Sequence, residues 1–178
     1  MIFSKTNING VLLVVPQRRE DDRGYFARTF CRDEFADRGL TDFAQCSVSF
    51  NLRKGTVRGM HFQRAPHAET KLVRCVRGAV FDVVVDLRPL SPTFRQWLGF
   101  ELDAANGYAL YVPQDVAHGF QTLQDETEVF YMISPAYTPG RGAGLRFDDP
   151  AISIGWPLPV SVIADADRSW PLLADWRP

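Results

Sequence analysis

Short runs of apolar and β-branched residues, separated by glycine and proline, follow one another along most of the chain. The alternation is clearest in residues 79–87, where one face is apolar and Asp82 and Asp86 lie on the other face among valines. Many short strands with frequent turns are typical of an all-β sandwich or barrel. We predict strands at residues 11–15, 25–30, 44–50, 57–63, 71–76, 79–87, 95–102, 108–112, 119–123 and 128–133.

Helical patterning is confined to one short segment. Residues 32–38 place acidic side chains around Phe35, and Gly39 supplies a C-terminal stop, so we predict a short helix there. Seven prolines from Pro135 onwards predict an irregular C-terminal wrap. The sequence has no repeat, low-complexity tract or linker, and 178 residues is the usual length of one domain. Residues 1–178 are therefore expected to form a single domain.

The charge balance disfavours two classes of partner. The formal net charge is −1, with 20 lysines and arginines against 21 acidic residues. Without a basic surplus, neither nucleic acid nor a membrane is an expected partner. The apolar run at residues 11–15 is too short to span a membrane and lacks the flanks of a signal peptide. Three scattered cysteines favour a reducing cytoplasm over a disulfide framework.

Residue types suited to proton transfer occur in unusual contexts. His61 lies within a predicted strand, His118 lies at a predicted strand entrance, and Asp165 and Asp167 lie near the end of the chain. Proton transfer at neutral pH needs a base, a group that sets its tautomer, and an acid on the opposite side of the substrate. Either histidine alone also fits a hydrogen-bonded structural role.

Lysine and tyrosine complete this set. The chain has 17 arginines but only three lysines, of which only Lys71 opens an apolar stretch. Tyr131 alternates with Val129 and Ile133 on one face of its predicted strand. A core aromatic with a hydrogen-bonded hydroxyl and a proton donor are equally compatible with that pattern.

Other chemistries have weaker support. The sequence contains no glycine-rich phosphate loop and no GxSxG nucleophile motif. A metal-binding cupin remains a weak alternative, with His61, His67, Glu69 and His118 as its ligands.

Seven segments in order resemble the dTDP-4-dehydrorhamnose 3,5-epimerase family over nearly the whole chain. They lie at residues 22–26, 55–63, 71–75, 86–88 followed by 91–93, 117–120, 148–150 and 155–157, and include the motif RGMHFQ around His61. The resemblance implies a cupin-type jelly roll (a double-stranded β-helix) with a few short helices. It also implies a homodimer with no metal and no cofactor.

The resemblance also implies roles for individual residues. His61 matches the general base, Asp167 the carboxylate that orients it, and Tyr131 the proton donor on the far side of the sugar. Asp165 is the fallback for Asp167. Lys71 would lie near the 4-keto oxygen and stabilise the developing enolate. The implied substrate-binding residues are Arg23, Phe26, Arg28, Gln45, Ser49, Asn51, Arg58 and His118.

Two features complicate this assignment. Arg58 and His61 are three residues apart, so a regular strand would point them to opposite faces. Either Gly59 marks a bulge or the two residues approach the pocket from different sides. The chain also departs from the family pattern where Glu, Asn, Glu and Lys are expected, at Arg28, Ser47, Gly142 and Ala166.

The resemblance therefore predicts an isomerase that epimerises a nucleotide-linked 4-keto-6-deoxy hexose at carbon 3, carbon 5 or both. The four departures leave the exact substrate and the epimerised carbons open. A single-carbon epimerase, a sugar-nucleotide 3,4-ketoisomerase and a metal-binding cupin are the alternatives.

Overall fold

Two antiparallel sheets contain most of the strands. The computed structural model describes residues 1–40 and 42–175. Its strands are β1 (Ile2–Lys5), β2 (Leu12–Val15), β3 (Arg18–Asp21), β4 (Gly24–Ala27), β5 (Gln45–Asn51), β6 (Val57–Gln63), β7 (Thr70–Arg77), β8 (Ala79–Asp86), β9 (Trp97–Asp103), β10 (Ala109–Val112), β11 (Val116–Thr122), β12 (Thr127–Ser134) and β13 (Gly142–Gly144). Two short helices, α1 (Arg32–Ala36) and α2 (Asp165–Arg168), complete the elements.

The strand order is that of a cupin-type jelly roll, which confirms the predicted fold class. One sheet has the order β1-β2-β10-β7-β12-β5 and the other β13-β6-β11-β8-β9, while β3 and β4 form a separate hairpin. Apart from β1–β2 and β8–β9, strands adjacent in these sheets are not consecutive in the chain, so the side chains facing the space between the sheets come from many parts of the sequence.

Three apolar clusters hold the layers together. The central cluster joins the inner faces of both sheets and includes Val73, Val84 and Phe120. A second cluster packs the C-terminal segment against the outer face of the five-stranded sheet. A third cluster packs Phe35 of α1 against the outer face of the six-stranded sheet. Strand β8 belongs to the first two clusters, because its alternating faces are both buried.

The ten predicted strands are all present, with limits that differ by at most three residues. The helix is also present and ends at Ala36, two residues before the predicted limit, while Gly39 has the left-handed φ of +66° expected of a stop. Strand β11 begins earlier than predicted, so His118 lies inside it rather than at its entrance. The C-terminal segment is largely irregular, as predicted, except for β13 and α2.

Candidate active site

A pocket of about 350 Å³ lies between the two sheets and collects most of the chemically suggestive residues. Strands of the six-stranded sheet contribute Ser47, Ser49, Lys71 and Tyr131, and those of the five-stranded sheet contribute Arg58, His61 and His118. Gln63, Glu69, Tyr137 and Trp170 also line the pocket.

His61 forms a close pair with Asp167. The Nε2–H of His61 donates to Oδ1 of Asp167 at 2.6 Å, although the residues are 106 positions apart. Asp167 lies on α2 and also accepts from the backbone N–H of Gly59 and from Nε1–H of Trp170. Burial acts to raise the pKa of Asp167, but the hydrogen bond and charge of His61, with these two donors, hold it below its usual value. Asp167 therefore stays ionised, and Nδ1 of His61 is left as the basic nitrogen.

The neighbouring Asp165 differs from Asp167 in burial and in hydrogen bonding. Asp165 is exposed and Asp167 is buried. Of the two, Asp167 is the one bonded to His61.

A bulge in β6 brings Arg58 and His61 to the same pocket. His118 pairs with His61 and Phe120 pairs with Arg58, so β6 has one residue more than β11 over this interval. Gly59 has a φ of +139°, which favours glycine, and a Cβ there would lie 2.6 Å from Cα of Gly119. The structure thus supports the bulge, the first of the two alternatives.

Arg58 is held from behind by Asn51. The Nε–H of Arg58 donates to Oδ1 of Asn51 at 2.7 Å, and the Asn51 amide donates to the carbonyl of Thr127 at 3.2 Å. Asn51 is buried and supports Arg58 without lining the pocket itself. The guanidinium is therefore presented as a fixed positive group.

His118 has a buried carboxylate partner of its own. Its Nε2 lies 3.0 Å from both carboxylate oxygens of Asp82, on the neighbouring strand β8. Both side chains are almost fully buried. Asp82 thus fixes the orientation of the imidazole.

Tyr131 lies on the opposite wall, on β12. Its ring makes an edge contact with His118, with centroids 6.2 Å apart. Burial, with the nearby charge of Asp82, raises the pKa of the Tyr131 phenol far above its ordinary value, against smaller opposing effects from Arg58 and a hydrogen bond with Ser49. The hydroxyl therefore carries its proton at neutral pH.

Lys71 is nearly buried and paired with Glu69. Its Nζ lies 2.8 Å from Oε1 of Glu69 and donates to the backbone carbonyl of His61 at 3.3 Å. A cationic group thus lies beside the pocket, linked to the backbone of the residue that carries the candidate base.

The remaining predicted residues lie outside the pocket lining. Gln45 lies at the pocket edge, where its Oε1 accepts the N–H of Tyr137 at 2.6 Å. Arg23, Phe26 and Arg28 lie on or beside the β3–β4 hairpin. Arg23 pairs with Asp21 and its side chain is 90% exposed, and Phe26 is 74% exposed. Within this one chain, the fold does not bring the hairpin residues to the pocket.

Several lining or supporting residues were not predicted from the sequence. Trp170, Tyr137 and Gln63 line the pocket, and Asp82 supports His118. Of these, only Asp82 carried a signal, because an acidic residue among valines in a strand is unusual. Trp170 and Tyr137 lie in irregular segments, where the sequence gives no periodic pattern.

The four departures from the family pattern lie in different surroundings. Ser47 and Gly142 line the pocket. Arg28 forms an exposed ion pair with Glu34, and Ala166 is exposed on α2. Two of the four therefore alter the shape of the pocket directly.

The four residues of the alternative metal site have other partners. His61 pairs with Asp167, His118 with Asp82, Glu69 with Lys71, and His67 lies 3.3 Å from the Thr138 hydroxyl. Across residues 1–40 and 42–175, no group of three or more His, Cys, Asp and Glu side chains is placed to hold a metal ion.

Comparison with known proteins gives one consistent result. The sequence model of a family described as dTDP-4-dehydrorhamnose 3,5-epimerase matches residues 5–175. The dTDP-4-dehydrorhamnose 3,5-epimerase of Sinorhizobium fredii is 43% identical over 98% of this chain and 91% of its own length. A dTDP-4-dehydrorhamnose 3-epimerase of Streptomyces niveus is 40% identical over 96% of this chain and 83% of its own length.

A solved structure agrees with these relatives. The dTDP-4-dehydrorhamnose 3,5-epimerase of Bacillus anthracis, crystallised with TDP and PPi bound, superposes with a TM-score of 0.93. It is 40% identical and is matched over 97% of this chain and 99% of its own. In the part of the chain that the structure describes, neither helix is long and apolar enough to cross a membrane.

Proposed function

Because the chain belongs to the dTDP-4-dehydrorhamnose 3,5-epimerase family, we propose that its pocket binds a nucleotide-diphosphate 4-keto-6-deoxy hexose and inverts carbon 3, carbon 5 or both. The protein is an isomerase, a sugar epimerase of deoxysugar biosynthesis. Relatives of similar identity are named as 3,5-epimerases and as a 3-epimerase, so identity alone does not select the carbons.

The observation that carries the mechanism is the hydrogen bond between His61 and Asp167. A C–H next to a ketone is acidic because the enolate places negative charge on oxygen. Abstraction needs a positioned base, which typically contributes about 10²–10⁴-fold. Nδ1 of His61 takes the proton, and ionised Asp167 stabilises the imidazolium that forms.

Inversion requires a proton to arrive on the other face of the sugar. Tyr131 lies across the pocket from β6, and its buried hydroxyl keeps its proton. The phenol donates that proton to the carbon, and the enolate collapses back to the ketone. The imidazolium of His61 then loses its proton and the Tyr131 phenolate regains one by exchange with solvent, which restores the enzyme. Proton transfer alone balances the reaction, so we propose that it needs no metal and no cofactor.

The cationic groups suit an anionic substrate and an anionic intermediate. Lys71 stabilises the enolate oxygen, while Arg58 and His118 contact the sugar and the diphosphate. Ser49 binds through its hydroxyl, and Asn51 and Gln45 act by holding Arg58 and the Tyr137 segment.

The exposed hairpin is best explained by a homodimer. Arg23, Phe26 and Arg28 are exposed, and none of them lines the pocket of its own chain. Strand β5 is an edge strand whose inner face lines the pocket and whose outer face exposes Val48 and Phe50. In our proposal a second copy covers this edge and presents its hairpin to the nucleotide. No nucleic acid or membrane partner is proposed, and the three unpaired cysteines favour a cytoplasmic location.

The test is proton exchange observed by NMR. The enzyme is incubated in D₂O with dTDP-4-keto-6-deoxyglucose and related nucleotide keto-sugars. We expect deuterium at carbon 3, carbon 5 or both, with the ketone still at carbon 4. Movement of the ketone would identify a 3,4-ketoisomerase, and exchange at neither carbon with any keto-sugar would refute the proposal.

A further inference from the structure

Lys71 is the catalytic cation of the proposed mechanism, and two hydrogen-bond partners hold its ammonium. Lysine has three N–H donors. One N–H faces Oε1 of Glu69 at 2.8 Å and one faces the carbonyl oxygen of His61 at 3.3 Å. A single N–H is therefore left to point at a ligand, and Glu69 helps to decide its direction.

Glu69 is itself held in place. Its Oε2 accepts from Nε2–H of Gln63 at 3.2 Å, and Oε1 of Gln63 accepts the N–H of Thr138 at 3.3 Å. Gln63 is 2% exposed, and the side chains of Glu69 and Lys71 are each 9% exposed. A continuous set of hydrogen bonds thus runs from the segment beside Tyr137 to the Lys71 ammonium.

A purely structural reason for this pair is weak. The free energy needed to move two charges out of water often exceeds the attraction between them in a buried ion pair. Apolar residues of similar size can therefore often replace such a pair without loss of stability. A carboxylate beside the lysine is more useful where an ammonium must be held in one position next to a reacting oxygen.

We propose that Glu69 is a positioning residue that holds the Lys71 ammonium toward the enolate oxygen. The inference rests on the proposed function, because it assumes that Lys71 meets a developing negative charge. The ground-state ketone needs this alignment less than the enolate does. Loss of Glu69 should therefore lower kcat and leave KM nearly unchanged.

The central variant is Glu69→Gln, which keeps the shape of the side chain and removes its charge. We expect kcat to fall about 10- to 100-fold and KM to change less than about threefold. Gln63→Met, which removes the support of Glu69 but keeps the ion pair, should give a smaller loss of kcat. Glu126→Gln is the matched control, because it breaks the exposed Arg77–Glu126 pair and should not alter kcat.

A double-mutant cycle identifies the route of the effect. If Glu69 acts only through Lys71, then adding Glu69→Gln to Lys71→Met should lower kcat by less than about twofold. An equal loss in both backgrounds, a loss confined to KM, or an unchanged kcat in a folded Glu69→Gln protein would each overturn the proposal.

A measurement without substrate separates this inference from the proposed function. The chain has three lysines, and Lys5 and Lys54 are exposed, so the ¹⁵Nζ signal of Lys71 is readily assigned. We expect its ammonium protons to exchange slowly with water in the wild type and much faster in Glu69→Gln. The wild-type enzyme could fail to exchange any sugar proton while its Lys71 ammonium still exchanges more slowly than that of Glu69→Gln. In that case the proposed function fails and the positioning by Glu69 stands. If the Lys71 ammonium protons exchange with water at the same rate in the wild type and in Glu69→Gln, the positioning by Glu69 is refuted.

Discussion

At the scale of single residues, the two aspartates of α2 offer a matched pair for testing the catalytic dyad that we propose for His61 and Asp167. Asp167 is buried and bonded to His61, whereas Asp165 is exposed two positions earlier on the same helix. We expect Asp167→Asn to lower the rate of deuterium incorporation about 10²–10⁴-fold, because the amide no longer stabilises the imidazolium. Asp165→Asn should retain the wild-type rate. The NMR exchange assay measures both, and a damaging Asp165→Asn with a silent Asp167→Asn would contradict the dyad.

Tyr131 tests whether a second face is used. Tyr131→Phe keeps the ring that packs against the central core and removes only the oxygen. If the hydroxyl is the acid, net inversion should fall by about 10²-fold or more, while exchange at the face of His61 persists because abstraction and return need only the base. If the hydroxyl is structural, the variant loses about 1–3 kcal/mol of stability at most and keeps its inversion rate. Chiral analysis of the product, with exchange measured in the same sample, distinguishes the two outcomes.

At the scale of elements, the connection between β8 and β9 depends on one carboxylate. Buried Asp86 accepts from Arg88, Ser91 and Thr93. Burial acts to raise the pKa of Asp86, but the bonds from Arg88, Ser91 and Thr93 outweigh it and lower the pKa to about 2. The ordinary value is 3.8. This difference contributes about 2 kcal/mol of stability that is present above pH 4 and is lost as the pH falls toward 2.

The consequence is a pH-dependent difference between two proteins. At pH 6 the free energy of unfolding of Asp86→Asn should be lower than that of the wild type by about 2 kcal/mol or more, so the variant should unfold at a lower urea concentration. Part of this loss arises because the amide is a poor partner for the donors that surround Asp86. The gap should narrow as the pH falls from 4 toward 2. Urea titrations at several pH values check this, and a gap that stays constant across the range would show that folding does not lower the pKa of Asp86.

The elements also mark what the sequence could and could not reveal. Strands with one or two buried faces were predictable, because burial imposes alternation or long apolar runs. The hairpin strand β3 has four exposed polar residues, β13 is Gly-Ala-Gly, and α2 has four residues, so none of them carries a periodic signal. The bulge at Gly59 was predictable as an alternative only, because it is defined by how β6 pairs with β11, a strand distant in the sequence.

At the scale of the whole molecule, several residues that line the pocket could be named before the fold was known, but the contacts between them could not. The family resemblance implied roles for His61, Lys71 and Tyr131 and left a choice between two aspartates. The partners that orient them are set by the topology. Asp167 reaches His61 only because α2 packs beside β6, although the two residues are 106 positions apart in the chain. Such contacts depend on three-dimensional packing, which spacing along the chain does not encode.

The placement of the hairpin leads to the last prediction, which concerns the assembly. A dimer would have about twice the monomer mass of 20.1 kDa, which light scattering after gel filtration measures directly. If one copy supplies Arg23 and Phe26 to the pocket of its partner, then His61→Ala and the double variant Arg23→Ala/Phe26→Ala should each be inactive alone. Mixed subunits should regain activity, because the partner with an intact pocket then receives an intact hairpin.

Random exchange of subunits sets the size of that recovery. Half of the dimers would be mixed, each with one complete pocket of two, so about a quarter of the wild-type rate should return. His61→Ala mixed with Asp167→Asn is the control, because both lesions lie in the same pocket and should give recovery only if His61 and Asp167 act across copies. A folded, dimeric mixture of the hairpin variant and His61→Ala that stays inactive would contradict the exchange of hairpins. A fully active hairpin variant would remove Arg23 and Phe26 from the site.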